Sequence, residues 1–351
     1  MTPFIEINGR RIGPSYPVYI VAELSANHRQ LFDEAVKLVK AAKEAGADAV
    51  KLQTYTSDTL TIQSDRPEFR IVGGTPWDGK TLYDLYQETY MSWEWQPELK
   101  KVADDLEIAL FSTPNDKTAV DFLEEMGVPA YKVASFEIVD TPLIEYIGSK
   151  GKPVFIATGM ATRSEIGEAI RVAGMGGASQ VALLKCTSVY PAPPEAMNLR
   201  TIPCMAKEFK MPIGLSDHTL GNAVPIAAVA LGACVIEKHL TLSRSIISSD
   251  SAFSLEPEEF KAMVEAVRTA EKALGKVQLG VSHQEAQSRV FRRSLFVIKD
   301  MKAEDVFTEE NVRSIRPGHG MDPGRITEII GRRASQDIQR GTPLSWDLIS
   351  Y

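Results

Sequence analysis

Two short apolar runs in this chain end abruptly in side chains that can do chemistry. Pro212-Ile213-Gly214-Leu215 leads into Ser216, Asp217 and His218, and Cys234-Val235-Ile236 leads into Glu237, Lys238 and His239. Each reads as a buried strand whose carboxyl end carries functional groups. A lone histidine in such a setting is more often a core residue with a satisfied hydrogen bond. Two on successive strand ends, flanked by Ser216, Asp217 and Glu237, read instead as a pair that grips one divalent cation through neutral imidazole nitrogens. Alternation along a strand puts Ser216 with His218, and Glu237 with His239, on a shared face. Lys238 then points the other way, toward a helix layer, as a structural ion pair.

The same grammar recurs earlier in the chain. Val18–Ala22 ends in Glu23, a carboxylate whose pKa desolvation would raise and which suits proton handling. Lys51 and Gln53 share one face of the run Ala49–Gln53. Lys132 ends another run, and small hydroxyls (Thr113, Ser135, Thr158, Ser188, Ser216) end or follow several more. Lysines beside short hydroxyl donors are what a phosphate or carboxylate needs. Asp250 and Glu137 are secondary acidic candidates. Cys186, Cys204 and Cys234 are poor nucleophile candidates, since no histidine neighbours them in a recognisable pattern. No glycine-rich phosphate loop or dinucleotide fingerprint is present, which argues against ATP or NAD. Residue types and spacing alone stop at a metal-assisted enzyme that makes or breaks a carbon–carbon bond in an anionic substrate.

The elements that must position these groups form a regular series. Phe4–Ile12 alternates around Asn8-Gly9 and reads as a hairpin. Strands follow at Val18–Ala22, Ala49–Gln53, Ile108–Ser112, Ala130–Val133, Val154–Ala157, Val181–Lys185, Ile213–Leu215 and Val235–Ile236. Helical sequence succeeds each, ending with a long amphipathic stretch at Glu256–Leu274. Eight such units in about 275 residues is the count and length of a TIM (β/α)8 barrel. A doubly wound sheet would gather its site at one switch point, whereas here functional side chains end nearly every strand. About forty residues separate the second strand from the helix at Pro97–Leu106, and they are dense in aromatics (Phe69, Trp77, Tyr83, Tyr86, Tyr90, Trp93, Trp95). A connection of that length reads as a lid or binding loop, with Thr81–Tyr90 a helix that packs on the barrel. The expected division is a barrel with its hairpin at 1–280, a linker at 281–292 and a small, mostly irregular domain at 293–351.

Composition sets outer bounds. A net charge of −7 without a basic tract argues against nucleic acid or an anionic membrane as partner, so locally placed cations must hold any anionic substrate. Three cysteines in apolar surroundings suit a reducing compartment. The opening MTPFIEING lacks a signal-peptide pattern, and no apolar run reaches membrane-spanning length. The expectation is a soluble, cytoplasmic protein.

Several segments resemble the sialic acid (nonulosonic acid) synthase family: AELSANH (22–28), KLQTYTSDTL (51–60), FSTP (111–114), YKVASFE (131–137), ATGMAT (157–162), KCTSVYP (185–191), GLSDHT (214–219), VIEKHL (235–240) and RPG (316–318). ELSANH, the aromatic stretch around Leu82–Trp95 and SSDSAFSLEPEEFKAMV (248–264) look like the pseudaminic branch rather than the sialic one. The resemblance implies a TIM barrel joined to a carboxyl-terminal antifreeze-like (SAF) domain that condenses phosphoenolpyruvate with an acetamido sugar. It implies a divalent cation, Mn2+ or Mg2+, on His218 and His239, with Glu23 orienting the sugar and handling protons. Lys51, Thr113, Lys132, Ser135, Thr158, Ser188 and Ser216 would bind phosphoenolpyruvate, and Gln53, Tyr190, Asp250 and Arg316 the sugar. A homodimer whose SAF domain caps the partner's barrel is also implied. Two positions depart from the sialic pattern, Ala157 for a serine and Ser188 for an asparagine. The runner-up activity is N-acetylneuraminate or legionaminic acid synthesis, and the non-enzymatic alternative is a sugar-binding barrel without catalysis.

Overall fold

The computed structural model describes residues 3–350 apart from positions 76 and 179. The chain divides into two compact units, Met1–Gly275 and Lys276–Tyr351.

The first unit opens with the hairpin β1 (Ile5–Ile7) and β2 (Arg10–Ile12), turned through Asn8 and Gly9, both at positive φ. Eight parallel strands follow: β3 (Tyr19–Glu23), β4 (Ala49–Thr54), β5 (Ala109–Pro114), β6 (Tyr131–Val133), β7 (Val154–Ala157), β8 (Val181–Cys186), β9 (Ile213–Asp217) and β10 (Val235–His239). They close into a barrel in chain order, β10 pairing with β3. Strands covered on both faces read as continuous apolar runs, which is why they stand out in the sequence; all five residues of β3 are buried. The interior below the site is filled by Phe111 and Phe155, stacked 5.4 Å apart. Gly214 is required where it stands: a Cβ there would lie 2.6 Å from both Leu184 Cδ2 and Val235 Cβ.

The helices are α1 (Phe32–Glu44), α2 (Ser57–Leu60), α3 (Leu82–Thr89), α4 (Gln96–Asp105), α5 (Lys117–Glu125), α6 (Thr141–Gly148), α7 (Arg163–Gly176), α8 (Thr201–Phe209), α9 (Ala223–Ala230) and α10 (Pro257–Leu274). Each large one lays an apolar stripe on the barrel, as α1 does with Ala35, Leu38, Val39 and Ala42. Side-chain caps fix where several begin. Asp116 caps α5 through the N–H groups of Thr118 and Ala119, and Thr162 with Glu165 forms a capping box on α7. The long connection after β4 carries α2 and α3, the latter capped by Thr81 and tied to Tyr55 through its ring contact with Tyr86 and a 2.8 Å bond to Thr89. Loop and packing helix are therefore both present in that stretch.

The second unit has its own small core of Leu295, Val297, Phe307, Ile329 and Leu344. An antiparallel ribbon of β11 (Ser294–Val297) and β12 (Val312–Ile315) organises it, with one helical turn, α11 (Ile326–Ile329). Among the described residues no helix is long and apolar enough to cross a membrane.

Candidate active site

Parallel register sets side chains in rows across the barrel. His239, Glu23 and Lys51 are register partners across β10, β3 and β4. Cys186, Ser216 and Glu237 form a second row across β8, β9 and β10. Lys132, on β6, reaches across the interior to the opposite wall. Its ammonium donates to Glu237 Oε1 at 2.8 Å and to Oε2 at 3.1 Å. Ser216 Oγ donates to the same Oε1 at 2.9 Å. Lys51 pairs with Glu23 Oε2 at 2.5 Å, donates to Thr113 Oγ1 at 3.2 Å and stands 4.0 Å from Glu237. Gln53 Nε2 donates to Glu23 Oε1 at 3.1 Å. These groups line a cavity of about 390 Å³ at the carboxyl ends of the strands, where barrel enzymes place their sites.

The two carboxyl groups differ in proton affinity. Burial alone would raise both, but Lys132 and Lys51 overcome it at Glu237 and hold that carboxyl at about 2. At Glu23 burial prevails over the attraction of Lys51, and the pKa lies above the ordinary carboxylate value. Burial works against charge on Lys51 as well, yet Glu23 and Glu237 keep it raised and cationic. Two lysines against two glutamates leave the cluster without net charge, so an arriving anion competes with the carboxylates for the same ammonium groups. Asp250 is buried and has a raised pKa; it accepts from the Ser25 hydroxyl and from the Ala26 N–H at 3.3 Å.

His218 and His239 stand together, ring centroids 5.3 Å apart. Burial, then the neighbouring His218 and lysines, holds His239 far below its ordinary pKa and therefore neutral. Its Nδ1 is buried without a hydrogen-bond partner. His218 Nδ1 lies 3.0 Å from the Thr187 carbonyl. Burial opposes charge on this ring too, but Cys186 and the Thr187 carbonyl raise its pKa overall. Two adjacent imidazoles, one with an orphaned nitrogen, fit as ligands that would hold a divalent cation. No cluster of three or more His, Cys, Asp and Glu side chains suited to a metal occurs among the described residues.

The fold gathers Glu23, Lys51, Gln53, Thr113, Lys132, Ser135, Tyr190, Ser216, His218, His239 and Asp250 around this one cavity. Thr158 and Ser188 are not among its lining side chains. The Thr158 hydroxyl donates to the Leu184 carbonyl at 3.3 Å, and Ser188 Oγ lies 2.8 Å from Ser135 Oγ, one layer behind. Ala157 does line it. Arg316 is an exposed residue of the second unit. Lys238 turns outward as expected, 2.5 Å from Asp217 Oδ2 and fully buried.

Two roles at the site escape sequence reasoning, although alternation already places Glu237 on the face of His239. Glu237 is the hub of the ion-pair network, and the signal for it was electrostatic: two inward lysines in a dry interior require a carboxylate. Cys186, set aside because no histidine lies near it in the chain, meets His218 in space; burial opposes its ionisation, but His218 and Lys132 lower its pKa overall.

An eight-stranded parallel barrel with paired lysines and paired histidines at its strand ends defines an enzyme scaffold for an anionic substrate. The NeuB family matches residues 38–279, and the SAF domain matches residues 292–350. The chain belongs to the NeuB family. It is 46% identical to a pseudaminic acid synthase of Campylobacter jejuni, across 93% of this chain and 95% of the relative. Identity to an N,N'-diacetyllegionaminic acid synthase of Legionella pneumophila is 38%, across 98% of each. The crystal structure of the N-acetylneuraminic acid synthetase of Leptospira borgpetersenii, in complex with citrate, superposes with a TM-score of 0.73 at 30% identity, covering 82% of this chain and 95% of that one.

Proposed function

We propose that this chain condenses phosphoenolpyruvate with 2,4-diacetamido-2,4,6-trideoxy-L-altrose and water, giving pseudaminic acid and inorganic phosphate. The observation that carries the reading is the convergence of Lys51, Lys132, Glu23 and both histidines on one cavity in a NeuB-family chain. Lys51 and Lys132, with Thr113, Ser135 and Ser216, hold the phosphate and carboxylate of phosphoenolpyruvate; Thr158 and Ser188 brace that wall from behind. Gln53, Tyr190 and Asp250 contact the sugar. Carbon 3 of phosphoenolpyruvate attacks the aldehyde carbon of the open-chain sugar, and the aldehyde oxygen takes a proton. Water adds at carbon 2, and the tetrahedral intermediate expels phosphate by C–O cleavage, leaving the 2-keto acid. Glu23, the carboxylate with the higher proton affinity, takes the proton that the added water releases. His218 and His239 would hold a divalent cation, Mn2+ or Mg2+, which when bound supplies Lewis-acid polarisation of a carbonyl. The assembly is a homodimer in which the SAF domain of one protomer caps the barrel of the other and brings Arg316 to the sugar.

The deciding experiment incubates purified protein with phosphoenolpyruvate and a panel of acetamido sugars, following phosphate release and product mass. The trideoxy sugar is expected to give the highest kcat/KM, with chelation abolishing turnover and Mn2+ restoring it. A higher kcat/KM for N-acetylmannosamine would overturn the substrate assignment. Full activity in a metal-free sample would remove the cation from the mechanism.

A further inference from the structure

Between α2 and α3 the chain leaves the barrel and returns as a narrow strap. Arg70 and Thr81 form an antiparallel bridge; the Ile71 N–H donates to the Lys80 carbonyl at 2.9 Å, and the Gly79 N–H to the Ile71 carbonyl at 3.0 Å. Asp78 ties its tip, accepting from the Gly73, Gly74 and Thr75 N–H groups and from the Thr75 hydroxyl at 2.7 to 3.2 Å. The Thr75 hydroxyl and those backbone donors hold the Asp78 carboxyl down at about 2, so its charge keeps the tip tied throughout the neutral range.

The strap delivers Trp77 to the cavity. Its indole N–H donates to the Ser249 carbonyl at 3.3 Å, in the loop that follows β10. Its ring lies 5.9 Å from that of Tyr190, which in turn lies 4.4 Å from His218. Trp77 shares the lining with Ile71, Leu82, Leu85 and Tyr86. These apolar side chains all come from the connection after β4, whereas the ion-paired groups come from strand ends. The cavity thus has a charged floor and an apolar wall, and Trp77 joins that wall to the Tyr190–His218 stack.

We infer that Trp77 is a specificity-determining residue, the ledge that receives the methyl group at carbon 6 of the sugar. The inference rests on the reading that the substrate is a 6-deoxy sugar. The indole N–H is already committed to Ser249, so the ring offers a hydroxyl at carbon 6 no partner. Such a hydroxyl gives up its water and gains nothing, while a methyl gains contact.

The test compares kcat/KM for the trideoxy sugar and its 6-hydroxy counterpart in the wild type, Trp77→Ala and Trp77→Phe. In Trp77→Ala the preference for the 6-deoxy sugar should fall by about ten-fold or more, with the KM for phosphoenolpyruvate unchanged within about two-fold. Trp77→Phe, which keeps an apolar aromatic ring but is smaller and lacks the N–H, should retain more of the preference than Trp77→Ala. An unchanged preference in Trp77→Ala overturns the inference. So does a loss shared equally by both sugars and phosphoenolpyruvate, since that would mark a purely structural strap. A wild type that ignores the 6-deoxy sugar sinks the substrate reading and this inference together. A wild type that prefers it regardless of residue 77 sinks the inference alone.

Discussion

Glu23 and Glu237 stand on adjacent strands of one cavity, and their surroundings drive their proton affinities apart. Glu237 touches Lys132 and Ser216 and stays ionised down to a pKa of about 2. Glu23 has a raised pKa because burial outweighs Lys51. A pair split in this way assigns a fixed charge to one member and proton transfer to the other. A raised pKa means that Glu23 keeps its proton to higher pH than a free glutamate, near 4.3, and the base form is lost as pH falls through that raised value. The profile of kcat/KM should therefore carry an acid limb with a midpoint above the ordinary carboxylate range. Glu23→Gln should lose about 100- to 10,000-fold in rate and lose that limb with it. An acid limb that survives unchanged in Glu23→Gln would assign the titration to another group.

The elements were the most legible feature of the sequence, because a barrel strand buried on both faces must be apolar along its length. β9 and β10 announced themselves in this way, and alternation correctly sent Lys238 outward. Pairing across the barrel was not legible. Lys132 and Glu237 are 105 residues apart, and no period in the chain says which inward side chains face each other from opposite walls. Cys186 and His218 meet for a different reason: β8 and β9 are neighbours, and their register, which the chain's periodicity does not state, sets Cys186 beside Ser216 and hence near His218. The strap at 70–81 was hidden for another reason: it is held by one carboxylate on successive backbone donors, which leaves no hydrophobic pattern. Outside the cavity, Lys238 and Asp217 lock the ends of β10 and β9 to each other. Lys238 Nζ also donates to the Thr219 carbonyl, and Asp217 accepts the Thr219 N–H at 3.0 Å and its hydroxyl at 3.1 Å. Removing one member leaves a buried charge uncompensated, so Lys238→Met should cost about 3–5 kcal/mol. Urea unfolding measures this, and a loss below about 1 kcal/mol would mean that the pair behaves like a surface salt bridge.

At the scale of the whole molecule, several loops at the carboxyl ends of the barrel strands carry exposed apolar side chains. Phe136, Met160, Leu220 and Ile247, in the loops after β6, β7, β9 and β10, are each more than half exposed. Exposed apolar side chains on four loops at the carboxyl ends of the strands offer the proposed cap, a partner's SAF domain, apolar area to bury. A two-fold dimer with exchanged caps is a closed, self-complementary arrangement. In that arrangement Arg316→Ala weakens sugar binding by about 2–5 kcal/mol through loss of a charged hydrogen bond, against about 0–1 kcal/mol for a surface ion pair. Exchange itself is read out by complementation. Arg316→Ala and Glu23→Ala are mixed, denatured and refolded together, and the mixture is assayed at a sugar concentration far below the KM of Arg316→Ala, where each variant alone is expected to be nearly silent. With exchanged caps, a mixed dimer sets the intact barrel of one chain under the intact cap of the other. Random pairing then restores about a quarter of all sites. If each cap serves its own barrel, every site carries one lesion, and the refolded mixture stays at the level of the separate variants.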